Sequence, residues 1–171
     1  MAAASYVLAF LLLLAFSGVV LSESCTYSIA IKTGSKRAAG TNAKVSLKFS
    51  NLEDPPINLQ NIAKYGSNGP GYDYFENDYL DHFKYTGLCF TFPVCYIKLS
   101  HDNGGYKPGW YVNYVDIYAS GSSITPTGKR FDVYQWLAFD EAPYEISTIR
   151  DLCVDELKSV GGIESVVNGT I

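Results

Sequence analysis

Positive charge is scarce in this chain. Its 171 residues carry 13 Lys and Arg against 17 Asp and Glu, for a net charge of −4, with only 2 histidines. That balance gives no electrostatic footprint for a nucleic-acid backbone, and the basic doublets are confined to Lys36-Arg37 and Lys129-Arg130. Catalytic parts are scarce too. There is no Gly-x-Ser-x-Gly elbow, no Cys–His arrangement, no His-Glu-x-x-His and no phosphate loop. Of the histidines, His82 is expected on the solvent side of a strand-like Asp81-His82-Phe83, and His101 at the start of a turn. Asp73 with Glu76, and Asp78 with Asp81, are paired acids in loops, where solvation or cation binding is commoner than a glycosidase dyad. The chain is therefore read as a non-enzyme. The alternative, a small secreted hydrolase or oxidoreductase, would need a nucleophile–base pair or redox motif that these residues do not supply.

Long helical periods are also missing. No long segment repeats its apolar residues every 3.6 positions, and there is no internal repeat or sign of a second domain. The one long apolar run, residues 7–20, is followed by Ser22 and Ser24. It has the length of a secretory h-region and falls short of the ~20 residues that span a bilayer. Residues 1–22 are thus expected to be a signal peptide, although no Lys or Arg precedes the run. Residues 25–153 are expected to form one domain, and residues 154–171 a loose polar tail.

Four cysteines follow the apolar run: Cys25, Cys89, Cys95 and Cys153. In a chain entering the secretory pathway, an even count implies two disulfides. Zinc would need closer pairing, and no His follows at ligand spacing. Three connectivities are open. The preferred one joins Cys25 to Cys153, bracketing the domain, and Cys89 to Cys95 around Pro93.

What the chain does have is alternation. Tyr27–Lys32, Lys44–Phe49, Cys95–Leu99 and Lys129–Tyr134 each place apolar residues at every second position, as half-buried strands require. Asn58–Ile62 is a weaker strand. Within Trp110–Ala119, Trp110 and Val112 share one parity, while Val115, Ile117 and Ala119 share the other, which calls for a bulge near Asn113–Val115. The region from Leu137 to Leu152 stays ambiguous because Pro143 interrupts it. About eight short strands separated by Gly, Pro, Asn and Asp clusters imply an all-β antiparallel sandwich or barrel. Val45, Leu47 and Phe49 should face the core, as should Trp110 and Trp136.

Two polar loops hold the oxygen ligands that a hard cation takes: Gly40-Thr41-Asn42, and Asp73 through Glu76. They make a site only if the fold brings them together, and turn chemistry alone accounts for such residues. Tyr65 and Tyr106, placed in loops, are candidates for partner contact. Asn168-Gly169-Thr170 is a formal glycosylation acceptor.

From Cys25 to Cys153 the chain resembles plant PLAT domain-containing stress proteins (PLAT: polycystin–lipoxygenase–alpha-toxin). The resemblance rests on Tyr27–Gly34, Ala39–Val45, Gly69–Glu76 with Leu80–Phe83, Gly87-Leu88-Cys89, Pro93-Val94-Cys95, Gly109–Val115, Gln135–Ala138 and Ala142–Glu145, in that order. A related embryo-specific family is the neighbouring reading. The resemblance implies a sandwich of two four-stranded antiparallel sheets. It also implies a module that binds a protein partner or a membrane lipid surface, in the endoplasmic reticulum or outside the cell, in growth and stress tolerance. In relatives that bind Ca2+, a Gly-Thr-Asp loop and an acidic Phe-Glu loop supply the ligands. Carried over, these are Gly40, Thr41 and Asn42, with Asp73 and Glu76. Asn42 replaces the usual Asp, and Asn77-Asp78 the usual Arg-Gly, so any calcium site should be weak.

Overall fold

The computed structural model describes residues 23–122 and 124–154. The expected signal peptide, all of the expected tail but Val154, and Asn168 lie outside these residues.

Eight strands form two antiparallel sheets. In chain order they are β1 (Ser24–Thr33), β2 (Val45–Ser50), β3 (Ile57–Leu59), β4 (Leu80–Leu88), β5 (Tyr96–His101), β6 (Trp110–Ser120), β7 (Thr127–Leu137) and β8 (Ser147–Asp151), with a 3-10 turn at Ile62–Tyr65. The first sheet has the order β4-β1-β6-β7 and the second β3-β2-β5-β8. Among the described residues no helix is long and apolar enough to cross a membrane. The alternating patterns behave as their parity requires. Val45, Leu47 and Phe49 are buried between the sheets, facing Tyr27, Ile29 and Ile31 of β1, while Lys44 is exposed. Tyr27 and Phe49 meet across the sandwich with ring centroids 5.2 Å apart.

The phase change in β6 is real: Lys32 pairs with Tyr114 and the adjacent Thr33 with Val112, so Asn113 is an extra residue of β6 against β1, and β7 carries a matching irregularity. Val112 pairs with Gln135 and Tyr114 with Asp132, so β7 fits Val133 and Tyr134 opposite the single Asn113. Tyr134 takes up the extra residue with φ of 44°. The bulge turns two carbonyls of β7 toward β8. Arg150 donates from Nε to the Asp132 carbonyl and from Nη2 to the Val133 carbonyl, both at 2.7 Å. A strand edge that would otherwise offer unpaired carbonyls is thereby closed by a side chain from the other sheet.

The disulfides correct the expected pairing. Cys25 bonds Cys89, and Cys95 bonds Cys153. The reason is strand adjacency. β1 and β4 run side by side, with Ser24 opposite Leu88, so Cys25 meets the residue that follows β4. β8 leaves the second sheet beside the start of β5, where Leu152 donates its N–H to the Cys95 carbonyl. Each bridge therefore staples two strands of one sheet, and the chain ends are not joined to each other. A second correction concerns Trp136. Trp110 is fully buried, but Trp136 points outward from β7, half-buried, with its ring 5.4 Å from Tyr111.

The antiparallel order gives the sandwich two unlike ends. Both disulfides lie at one. At the other, the β1–β2, β5–β6 and β7–β8 connections meet the segment that leads into β4.

Candidate functional site

Phe75 organises the loop end. Its ring packs 5.6 Å from Phe83 and 5.1 Å from Trp110. Its backbone N–H is taken by Asp81 Oδ2 at 2.8 Å, and its carbonyl accepts from the Thr41 N–H at 3.1 Å. These contacts hold it at φ of 67°, a left-handed conformation that a bulky residue keeps only when its surroundings over-determine it. Gly40 makes the approach possible. A Cβ there would stand 2.9 Å from the Asn77 nitrogen and 3.0 Å from the Phe75 oxygen. The two loops singled out in the sequence do come together.

Seven non-glycine residues have positive φ among the described residues. Six of them, Ala38, Phe75, Asp78, Asn103, Lys107 and Tyr144, lie in the connections at this end; the seventh is Tyr134 at the bulge. Constrained backbone of this kind concentrates at sites of function.

The expected calcium ligands are placed as follows. Thr41 is buried; its hydroxyl donates to the Pro108 carbonyl at 2.7 Å and accepts from the Ala43 N–H at 3.1 Å. Asn42 and Asp73 are exposed and Glu76 is half-buried. Asp78, its neighbour in the loop, pairs with Lys32 at 2.7 Å. Among the described residues no three His, Cys, Asp or Glu side chains cluster closely enough to hold a metal ion. With the Thr41 hydroxyl committed and Asn42 contributing an amide, the side chains at this end do not converge into the oxygen shell that calcium takes.

Two buried polar groups here were not legible as such. Asp81, fully buried, accepts the Phe75 N–H on Oδ2, while its Oδ1 has no partner among the described residues. Burial raises its pKa, opposed by the Phe75 N–H and His82. His101 is buried as well and bridges to the end of β7. Its Nε2 lies 2.9 Å from the Leu137 carbonyl, and its Nδ1 accepts the Asn103 N–H at 3.1 Å. His82 is exposed, as expected.

The surface of this end is aromatic and mixed in charge. Tyr106, Phe139 and Tyr144 are 76%, 60% and 63% exposed. A groove of about 430 Å³ lies beside Phe139, with Arg37 and Lys107 on its walls together with Trp136, Asp140 and Glu141. Lys36 lies over the Tyr111 ring, 3.9 Å from its centroid. Tyr106 is exposed in the β5–β6 connection. Tyr65 is not at a loop tip: it ends the 3-10 turn, half-buried, with its ring against Tyr85 at 5.5 Å. Phe139 and Tyr144 escaped notice because they fall in the Pro143-interrupted region.

Comparison with known proteins agrees with this geometry. The family described as "Embryo-specific protein 3, (ATS3)" matches residues 17–137. PLAT domain-containing protein 2 of Arabidopsis thaliana is 37% identical over 160 residues, covering 91% of this chain and 87% of that protein. PLAT domain-containing protein 1 of the same plant is 37% identical over 163 residues, 92% of this chain and 90% of its own. Human Lipoxygenase homology domain-containing protein 1 is 35% identical over 138 residues, 80% of this chain but 6% of that protein. Among solved structures, coral 8R-lipoxygenase, described as calcium-activated via a C2-like domain, superposes with a TM-score of 0.54 at 19% identity, over 74% of this chain and 16% of that one. That last likeness carries the fold alone. Sequence and architecture together make this chain a member of the Embryo-specific protein 3 family and, within it, a PLAT domain protein.

Proposed function

We propose that this protein is a non-catalytic binding module of the secretory pathway that docks on a lipid surface through the loop end of its sandwich. The observation that carries the reading is the exposure of Tyr106, Phe139 and Tyr144 at this end, with Lys107 5.3 Å from the Tyr106 ring and with Arg37 and Lys107 lining one groove with Phe139. Amphipathic rings flanked by cations suit a membrane interface, where one side of the ring is apolar and the headgroups are anionic. Membership among PLAT domain proteins supports a binding role, and the absence of a nucleophile–base pair from the sequence supports a non-catalytic one. Docking of this kind is at most weakly dependent on calcium, because the Thr41 hydroxyl is committed and Asn42 brings no charge. The endoplasmic reticulum or the cell exterior is the proposed setting, and growth under stress the proposed context.

Sedimentation with anionic phospholipid vesicles, with calcium and with chelator, tests the reading. The full domain is expected to bind, and Tyr106→Ser with Phe139→Ser to release it. No binding under either condition would overturn the lipid reading and move the docking to a protein partner.

A further inference from the structure

The outward face of the second sheet carries two opposed lysines at its centre in a chain of net charge −4, with Asp151 as the acid at the end of its edge strand. Lys48 of β2 and Lys98 of β5 are direct cross-strand partners. Neither takes part in an ion pair among the described residues. Like charges directly opposite destabilise a sheet, so this pair is retained at a cost to the fold. Asn58 pairs with Lys48 from the other side. Next to them, against the 3-10 turn, lies a hollow of about 630 Å³ lined by Lys44, Lys64, Ser46, Gln60 and Tyr65 together with Asn58. The one acid on its wall, Asp102, is already engaged: its Oδ1 accepts the Lys44 and Gly104 N–H groups at 2.9 and 3.0 Å, and Lys44 Nζ lies 3.5 Å from Oδ2.

We infer that this face binds an acidic polysaccharide, a linear chain of uronate units. Adjacent strands lie about 4.8 Å apart, so Lys48 and Lys98 present two ammonium groups side by side to one chain of carboxylates. Asn58 and Gln60 supply amides that pair with sugar hydroxyls, and the Ser46 hydroxyl, which donates to the Gln60 carbonyl at 2.7 Å, is left to accept from one. Apolar anchors for a bilayer are not what this face offers; its large exposed aliphatic, Ile149, sits beyond Lys98 on the edge strand. The inference concerns a sheet face rather than the loop end, so either can fail without the other.

The test is calorimetric titration of the protein with a linear oligouronate in the presence of chelator, beside its carboxyl-reduced neutral counterpart and anionic phospholipid vesicles. The oligouronate is expected to bind, more weakly as salt rises, and the neutral sugar at least about tenfold more weakly. Lys48→Gln with Lys98→Gln should lower oligouronate affinity about tenfold or more, with the melting temperature unchanged or raised, while Tyr106→Ser with Phe139→Ser leaves it unaltered. Absence of oligouronate binding, equal binding of the neutral sugar, or indifference to the lysine changes would overturn the inference. Vesicle binding that depends on Lys48 and Lys98, without oligouronate binding, would overturn it and assign the face to lipid.

Discussion

His101 and Leu137 join the two sheets across the loop end, with the imidazole Nε2 2.9 Å from the Leu137 carbonyl oxygen. A carbonyl only accepts, so Nε2 carries the proton. Nδ1 already accepts the Asn103 N–H, and protonating it would set donor against donor. Burial lowers the His101 pKa, with the Leu137 carbonyl and Asp102 pulling the other way. Below about pH 6.5 the unfolded chain therefore takes up a proton that the folded one refuses, and stability is lost until the lowered folded pKa is reached. The melting temperature should fall as pH drops from neutrality toward about 5. His101→Gln should flatten that slope; an unchanged slope would show that His101 is not its source.

Asp81 works in the opposite sense. Its raised pKa means that the folded state holds the proton more tightly than the unfolded one. The cost of the buried charge is present above the raised pKa and is relieved as pH falls toward the ordinary value of about 3.9. Asp81→Asn keeps an acceptor for the Phe75 N–H and carries no charge. Measured by chemical denaturation, its stability relative to the parent should be most favourable at neutral pH and decline toward about pH 4. A difference that does not vary with pH would mean that Asp81 takes up its proton at the same pH in the folded and unfolded chain.

Non-reducing peptide mapping should recover Cys25 linked to Cys89, and Cys95 linked to Cys153. The bridges close segments of 64 and 58 residues, so each removes comparable freedom from the unfolded chain, about 4 kcal/mol by the loop-entropy relation. Cys89→Ser and Cys153→Ser should therefore destabilise to a similar degree. Recovery of a Cys25–Cys153 peptide would contradict the strand order.

Phe49 and Lys48 are neighbours in sequence with opposite fates. Phe49 is fully buried against Tyr27 and Phe90, and Lys48 faces out beside Lys98. Phe49→Ala should cost about 3–5 kcal/mol. Lys48→Ala should change stability little, or raise it slightly, by ending the opposition of like charges. Thermal unfolding of the two variants decides whether the register of β2 is right.

What the sequence made legible is what local periodicity encodes. β1, β2 and β5 are clean alternations, and the parity switch around Asn113 located the bulge in β6. Long-range adjacency was out of reach. Cys25 meets Cys89 only because β1 lies beside β4, which no spacing rule states. β8 was hidden by Pro143 in the β7–β8 connection, and with it went Arg150, Phe139 and Tyr144. Trp136 and Trp110 look alike as residues in strand-like runs, and only the extra residue of β7 decides which one faces outward. The meeting of Gly40–Thr41 with Phe75 was expected from the family resemblance. The opposition of Lys48 and Lys98 required the register itself.

The unlike ends of the sandwich bear on how the protein should be handled. The Glu23 carbonyl accepts the Cys89 N–H, and Val154 follows the second disulfide, so both flanks of the described domain sit at the bridged end. Strand β6, 11 residues long, separates them from Gly109 and its neighbours by about 35 Å. Anchoring to a sensor chip through a linker joined at either flank should display the loop aromatics to the analyte and leave the lysine face open along its side. Coupling through surface amines would instead consume Lys48, Lys98 and Lys107, masking both candidate surfaces at once.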